Sequence, residues 1–252
     1  MSFDVSASAY DRFMGRYSGP LAVEFVDAIG PTANQRVLDV GCGPGALTAE
    51  LVRRVGAEQV AAVDPAPAFV EACRQRLPGV EVQVASAESL PFAHHSFDLA
   101  LAQLVVHFMS DPVAGLVEMG RVTRSGGVIA ACVWDLAGGA GPLSAFWRAA
   151  QDCDPAAPGE SARAGGREGH LAELCAAAGL HEVVSSALTV RVPMSSFEDW
   201  WEPYTLGVGP AGAYLRGLDE SQREAVRRRA TELLPDGPFE VSATAWCVQA
   251  RA

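Results

Sequence analysis

The chain has 252 residues, of which 49% are hydrophobic, and a formal net charge of −11. This length suits one α/β domain with an elaboration, or at most two small domains, and the apolar fraction is ample for a packed core. The negative charge argues against a nucleic-acid-binding protein, because binding to phosphate backbones depends on clustered cationic side chains.

Short β-branched runs alternate with helical patterns from Arg36 to Arg191, which is typical of a parallel sheet with right-handed crossovers. We predict strands at Arg36–Val40, Gln59–Val63, Val80–Ala85, Phe97–Ala102, Val128–Trp134, Val183–Val192 and Phe239–Gln249. The last strand is expected to pair antiparallel with its predecessor. The predicted fold class is α/β, a Rossmann-like doubly wound sheet of seven mostly parallel strands with one antiparallel strand.

Proline and glycine mark the ends of the predicted helices. These helices run from Pro44 to Arg54, from Pro65 or Pro67 to Leu77, from Pro112 to Arg124, from Pro142 to Cys153 and from Gly169 to Ala178. Ser125-Gly126-Gly127 is predicted to form the turn into the fifth strand. Asp154 to Gly166 is rich in Pro, Gly and Ala and is predicted to be a loop.

Residues 193–238 interrupt the alternation and are too long for a connecting turn. Because they contain aromatic-rich helical segments, we interpret them as a helical cap over the carboxyl edge of the sheet. The core would then comprise residues 31–192 and 239–252.

The first predicted strand ends in a glycine-rich turn, Gly41-Cys42-Gly43-Pro44-Gly45. Glycines let the chain reverse tightly and let backbone amides approach a ligand, toward which the next helix directs its positive end. Asp64 closes the next predicted strand, where a carboxylate can accept both ribose hydroxyls of a nucleoside. The structural alternative is an ordinary strand-to-helix turn with Asp64 as a helix cap.

Two cofactors fit this turn. Gly41, Gly43 and Ala46 match the dinucleotide pattern Gly-x-Gly-x-x-Gly/Ala. Asp39 is not required by that pattern, and its carboxylate can approach an ammonium group or a water bound to one. The chain contains no lysine, which excludes a Tyr-x-x-x-Lys dehydrogenase site. A nicotinamide-dependent oxidoreductase is therefore the less favoured alternative.

The stretch from Leu38 to Gly45 resembles motif I of the class I S-adenosylmethionine-dependent methyltransferases. Residues 85–108 are similar to the adenine-binding and fourth-strand motifs of this family, and residues 118–127 to its helix and turn before strand five. The most similar subgroup includes ubiquinone and menaquinone biosynthesis methyltransferases and natural-product methyltransferases. The specific motifs cover residues 10 to 134, and the remainder matches only in general layout.

The resemblance implies a site for S-adenosylmethionine. Asp64 would hold the ribose, Ala87 and Glu88 would border the adenine, and Gln103 with Leu104 would lie under the sulfonium. Ser86 stands where the family often has an aspartate, so the contact to the adenine amino group would come from another group, such as a backbone carbonyl. The expected cofactor-binding residues are Tyr10, Arg16, Asp39, Gly41, Cys42, Gly43, Gly45, Asp64, Pro65, Ala87, Glu88, Gln103 and Leu104.

Residues 9–17 also resemble the lid that closes over the cofactor in this group, so residues 1–30 are interpreted as N-terminal lid helices. Tyr10 and Arg16 could reach the cofactor carboxylate, because arginine binds carboxylates as a planar fork. The alternative is an amphipathic helix whose aromatic residues pack on the sheet, and both can hold.

His107 is the candidate general base, because it follows the fourth strand near the carboxyl edge of the sheet and imidazole titrates in the useful range. The alternative is a buried histidine bonded to backbone. His170 and Tyr204 are weaker candidates, and Asp135 could orient a base.

Trp201 and Tyr204 are the candidate substrate-binding residues, because aromatic walls bury flat or greasy molecules. The alternative is that the aromatic residues of the cap anchor it to the domain.

The expected reaction is methyl transfer from S-adenosylmethionine to an O, N or C atom of a small molecule such as a natural product or quinone. A protein that binds this cofactor without methylating is the alternative. Six cysteines are scattered singly, so no metal site or disulfide framework is expected. We expect a cytoplasmic monomer or homodimer with no membrane span and no nucleic-acid partner.

Overall fold

The computed structural model of the protein describes residues 7–252. Seven strands form one sheet in the order β3-β2-β1-β4-β5-β7-β6. The strands are β1 Val37–Val40, β2 Val60–Asp64, β3 Glu81–Val84, β4 Phe97–Gln103, β5 Thr123–Trp134, β6 His181–Met194 and β7 Phe239–Arg251. The predicted fold class is confirmed, because β1 to β5 pair in parallel and β7 runs antiparallel to both of its neighbours.

Ten α-helices connect or flank these strands within the described residues. They are α1 Ala7–Tyr10, α2 Arg16–Ile29, α3 Ala46–Val55, α4 Pro67–Arg76, α5 Pro112–Val122, α6 Ser144–Cys153, α7 His170–Ala177, α8 Phe197–Thr205, α9 Gly209–Gly217 and α10 Glu220–Leu233. A π-helical turn, Asp11–Gly15, joins α1 to α2, and a 3-10 turn, Val106–Phe108, follows β4. No helix in residues 7–252 is long and apolar enough to cross a membrane.

Every residue of β1 and β2 is buried. Inner parallel strands covered by helices on both faces are typically such continuous apolar runs. β1 lies between β2 and β4, with Leu38 opposite Ala61 on one side and Ala100 on the other. The strand order therefore reverses at β1, and sheets of this type bind ligands at such a reversal, outside the carboxyl ends of the strands.

The Ser125-Gly126-Gly127 turn differs from its prediction, because it lies inside β5. Where β5 pairs with β4, Thr123 lies opposite Phe97 and Val128 lies opposite Leu99. More residues of β5 than of β4 lie between these two pairs, so the glycines form a bulge. Gly126 N donates to the carbonyl oxygen of Ala252, the C-terminal residue, at 3.2 Å. Hydrogen bonds to the end of the chain thus continue the strand through a segment that the local sequence marks as a turn.

Helices α8 to α10 lie between β6 and β7 in the chain, and α8 carries much of an aromatic cluster. Within it, Tyr204 stacks on Phe146 of α6 with ring centroids 4.6 Å apart, and Phe13 contacts the edge of Tyr204 at 5.2 Å. The cluster therefore ties the cap helices to α6 and to the N-terminal helical segment.

Candidate active site

A cavity lies at the carboxyl ends of β1, β2 and β4, where the strand order reverses. We call it the cofactor cavity. It is lined by Tyr10, Ser18, Asp39, Gly41, Cys42, Gly43, Pro44, Ala46, Leu47, Asp64, Pro65, Phe69, Gln103, Leu104, Val105 and Phe108.

The glycine turn forms one wall of this cavity. Gly41 has φ +75°, and a Cβ placed there would lie 2.4 Å from Val105 Cγ2, so no larger residue fits. Gly43 has φ +54°, and a Cβ placed there would have no neighbouring atom within 4 Å. Gly41 is therefore required by packing, whereas Gly43 keeps its part of the wall open.

Asp64 holds the turn from the neighbouring strand. Its Oδ2 accepts from Gly43 N at 2.9 Å, and its Oδ1 accepts from Ala66 N at 2.8 Å. Burial raises the pKa of this carboxyl, and these two backbone hydrogen bonds oppose the increase. Each carboxylate oxygen retains lone-pair capacity, so the structural role does not prevent ligand binding.

Asp39 lies behind the turn and is 1% exposed. Its Oδ2 accepts from Thr48 Oγ1 at 2.6 Å. Burial raises the pKa of Asp39 to about 7, the Thr48 hydrogen bond opposes the increase, and the Asp64 charge adds to it. A cationic group in the cavity would stabilise the ionised form, because an opposite charge favours ionisation.

Two polar atoms on the opposite wall have no hydrogen-bond partner within residues 7–252, namely Ser18 Oγ and Gln103 Oε1. Gln103 Nε2 donates to the Ser18 carbonyl at 3.0 Å and fixes the amide orientation. Because a buried polar atom without a partner is costly, a ligand that supplied a partner to either atom would gain binding free energy.

Leu104, next to Gln103, has φ +60°, a left-handed conformation that is costly for a residue other than glycine. Its amide donates to the Cys132 carbonyl at 2.8 Å. Such strain occurs often at ligand sites, and here it turns the chain at the end of β4 along the cavity wall.

A second cavity adjoins the first and shares Tyr10, Leu104 and Phe108 with it. We call it the acceptor cavity. Its other lining residues are Phe13, Met14, His107, Trp134, Leu136, Pro142, Leu143, Glu160, Val208, Gly209 and Pro210. Most of these side chains are apolar, as in sites for small organic molecules.

His107 reaches the acceptor cavity from the 3-10 turn after β4. Burial, with the nearby charge of Arg163, lowers the pKa of His107 to about 3. Its Nδ1 has no hydrogen-bond partner within the described part of the chain. The lowered pKa therefore favours the neutral ring at physiological pH, in which Nδ1 is buried without a partner.

Known proteins share the segment that carries the glycine turn, Asp64, Gln103 and His107. The family model described as Methyltransferase domain matches residues 38–131. Aklanonic acid methyltransferase DauC of Streptomyces sp. strain C5 is 34% identical over 135 residues, which are 51% of this chain and 61% of that protein. Malonyl-[acyl-carrier protein] O-methyltransferase of Serratia marcescens is 34% identical over 129 residues, 49% of this chain and 50% of that protein.

Over residues 38–131 the chain is thus similar to methyltransferases. Of the two cofactors that the glycine turn fits, this similarity favours S-adenosylmethionine, the methyl donor that motif I implies. The chain spans only about half to three fifths of the length of the two curated relatives.

A solved structure shows that the fold extends beyond the shared segment. Haemonchus contortus phosphoethanolamine N-methyltransferase 2, in complex with phosphomonomethylethanolamine and S-adenosylhomocysteine, matches 97% of this chain and 56% of its own with a TM-score of 0.60. At 16% identity this match shows the fold alone.

Nine residues predicted for the cofactor site of the methyltransferase domain line the cofactor cavity. They are Tyr10, Asp39, Gly41, Cys42, Gly43, Asp64, Pro65, Gln103 and Leu104. Gly45 lies just outside this wall, where it precedes α3.

Ala87 and Glu88, predicted to border the adenine, also lie outside the lining. Ala87 is buried in the core. Glu88 Oε1 accepts from Ser110 N at 2.8 Å and so supports the loop before α5.

Arg16 is directed to the cap and not to the cofactor cavity. Its guanidinium donates to Asp199 Oδ1 at 2.8 Å, to the Asp199 carbonyl at 2.9 Å and to Met194 Sδ at 3.0 Å. These contacts join α2 to β6 and α8, so the structure gives Arg16 an anchoring role in place of the expected contact with the cofactor.

The candidate substrate residues Trp201 and Tyr204 lie within the aromatic cluster and do not line the acceptor cavity. This placement follows the alternative interpretation, in which the aromatic residues anchor the cap. His170 is also outside the cavity, where its Nδ1 accepts from Gly165 N at 3.2 Å. Asp135 accepts from Gly138 N and Trp246 Nε1, neither of which is a candidate base.

Glu160 is a site residue that sequence reasoning missed, because it lies in the segment predicted to be a loop. Its buried carboxylate accepts from Trp147 Nε1 at 2.9 Å and pairs with Arg163 Nε at 3.2 Å. Arg163 also donates to the His107 carbonyl at 3.4 Å. The segment thus supports the turn that carries His107. The only sequence feature that could have indicated this role is the three-residue spacing of Glu160 and Arg163, which is typical of an ion pair on a helix-like turn.

Proposed function

We propose that the protein transfers the methyl group of S-adenosylmethionine to an O, N or C atom of a small organic molecule held in the acceptor cavity. One observation supports this above all others. The cofactor cavity and the acceptor cavity meet at Tyr10, Leu104 and Phe108, so a bound cofactor and a second molecule can be in contact.

The cofactor assignments rest on the chemistry of the lining. The Asp64 carboxylate would accept the ribose hydroxyls, and the Asp39 carboxylate with Gln103 Oε1 would face the ammonium of the methionine part. Hydrogen bonds to charged groups contribute about 1.5 to 3 kcal/mol each. Tyr10 and Phe69, whose rings meet edge to face at 5.3 Å, would cover the ligand from the N-terminal side.

S-Adenosylmethionine supplies a methyl group on a positively charged sulfur, which a nucleophile displaces in line. The protein has to position that nucleophile and exclude water, and positioning can be worth effective molarities of about 10⁵ M or more. The apolar walls of the acceptor cavity perform the exclusion. His107 would accept the proton of a hydroxyl nucleophile, with its turn supported by Arg163.

The acceptor is proposed to be a natural-product-like or quinone-like molecule, because the cavity walls are mainly apolar. DauC is named for aklanonic acid, an organic molecule, and the Serratia marcescens relative for malonyl-[acyl-carrier protein]; the first of these names agrees in class with the proposed acceptor.

The test combines binding with turnover. The protein is titrated with S-adenosylhomocysteine by calorimetry and then incubated with methyl-labelled S-adenosylmethionine and a panel of phenols, hydroxyquinones, carboxylic acids and amines. Labelled product in at least one mixture is the expected result. Tight S-adenosylhomocysteine binding without transfer to any acceptor would favour a cofactor-binding protein that does not methylate, and NAD(H) binding alone would refute the proposal.

A further inference from the structure

Trp134, a residue of the acceptor cavity wall, carries a buried hydrogen-bond donor that has no partner among the described residues. Trp134 ends β5, lines this cavity and is 3% exposed. Its indole N–H has no hydrogen-bond partner among residues 7–252. An indole nitrogen can only donate, and a buried donor left unpaired is costly. A ligand that offers an oxygen lone pair would satisfy it.

The other groups around this donor favour a neutral ligand. The Glu160 carboxylate is the acidic side chain on the cavity wall, and it is already bound by Trp147 and Arg163. His107 is uncharged because burial lowers its pKa. Apart from Tyr10 the remaining wall is apolar, so an ionic ligand would lose its hydration without a free counter-ion on this wall.

On the basis of the proposed function, we propose that the methyl acceptor is a neutral, mainly apolar molecule with a carbonyl oxygen, and that the indole N–H of Trp134 binds that oxygen. A site built to hydrogen-bond a ligand discriminates strongly against an analogue that lacks the partner atom, because the buried group then stays unpaired. Trp134 is therefore a specificity residue, and His107 remains available to the nucleophile.

Trp200 provides a matched control. It is 2% exposed, and its indole N–H also has no partner in the described part of the chain. It belongs to the aromatic cluster and lines neither cavity. Trp134→Phe and Trp200→Phe each remove one unpaired N–H and keep an aromatic ring, but only Trp134→Phe changes the wall of the acceptor cavity.

The experiment uses two probes of similar size, 1-acetonaphthone and 1-ethylnaphthalene, of which only the first has a carbonyl oxygen. Both are titrated by calorimetry into the protein saturated with S-adenosylhomocysteine. In the wild type and in Trp200→Phe, we expect the ketone to bind about tenfold more tightly, the effect of one net hydrogen bond. In Trp134→Phe this preference should disappear while S-adenosylhomocysteine affinity is retained.

Nuclear magnetic resonance of the wild-type protein gives a second readout that does not depend on the variants folding. The chain has five tryptophans, so a ¹⁵N spectrum resolves few indole signals, which can be assigned by triple-resonance experiments. The Trp134 indole proton should shift downfield with the ketone and not with the hydrocarbon.

Three outcomes would overturn the inference: equal binding of the two probes, an unmoved Trp134 signal, or no binding of either probe to the S-adenosylhomocysteine complex. Failure of the proposed function has a different signature, which is absent S-adenosylhomocysteine binding or absent methyl transfer across the panel.

Discussion

Replacing Gly43 by alanine tests whether the glycine turn is shaped for a ligand or only for the fold. Gly43 lines the cofactor cavity with φ +54°, and a Cβ there would meet no protein atom within 4 Å. Gly30, which follows α2, has φ +67° and the same open surroundings, but it lies outside the cavity. Alanine at either position therefore introduces a similar backbone strain. Only Gly43→Ala also adds a methyl group to the wall of the cofactor cavity.

The strain of a left-handed alanine is about 1 to 2 kcal/mol. For a chain of this size, each 1 kcal/mol lowers Tm by about 2 to 4 °C. Gly43→Ala and Gly30→Ala should thus lose stability to a similar extent. A methyl group where backbone amides approach the ligand should also weaken S-adenosylhomocysteine binding by at least about tenfold, equivalent to 1.4 kcal/mol.

Differential scanning calorimetry measures the first effect and isothermal titration calorimetry the second. We expect Gly30→Ala to retain the wild-type Kd for S-adenosylhomocysteine. The reasoning is refuted if Gly43→Ala also binds with wild-type affinity, since Gly43 would then serve the backbone turn alone.

Three further outcomes follow from the site. His107→Ala should lower kcat by about 10²-fold, the low end for general-base catalysis because burial lowers the pKa of His107 and weakens it as a base, with an unchanged Kd for S-adenosylhomocysteine; unchanged turnover at saturating acceptor would remove His107 from the mechanism. Because burial raises the folded-state pKa of Asp39 to about 7, the contribution of this group to stability is present below about pH 4 and is lost as the pH rises to 7. Asp39→Asn should reduce the change in the free energy of unfolding between about pH 4 and 7, measured by urea unfolding. A pH dependence identical to that of the wild type would contradict the assignment. Arg16→Gln should cost about 1 kcal/mol of stability, because the partly exposed pair with Asp199 anchors the cap, and should leave cofactor affinity unchanged; a large rise in Kd with unchanged Tm would instead restore the cofactor-binding role of Arg16.

Most of the sheet could be predicted because its signals are local. All seven predicted strands occur, with ends that differ by a few residues, since buried β-branched runs bounded by glycine and proline identify strands without long-range information. The Ser125-Gly126-Gly127 segment shows where this fails. Its glycines predict a turn, but hydrogen bonds from the distant C-terminal residue Ala252 keep it in β5.

The cofactor wall was also largely predictable, because Gly41, Gly43 and Asp64 belong to short motifs at strand ends, and parallel strands bring such ends to one edge. Local patterns were thus sufficient for the fold class and for one side of the site.

The other side depends on contacts between distant parts of the chain. Ser18 meets Gln103 across 85 residues, and Arg16 turns to Asp199 across 183 residues. Glu160 and Trp134 become parts of one cavity only when a loop and a strand end pack together. Side-chain partners at such separations are chosen by packing and desolvation in the folded state, which no local pattern encodes. The turn and strand ends of the cofactor site were therefore evident in the sequence, whereas the acceptor cavity exists only in the tertiary structure.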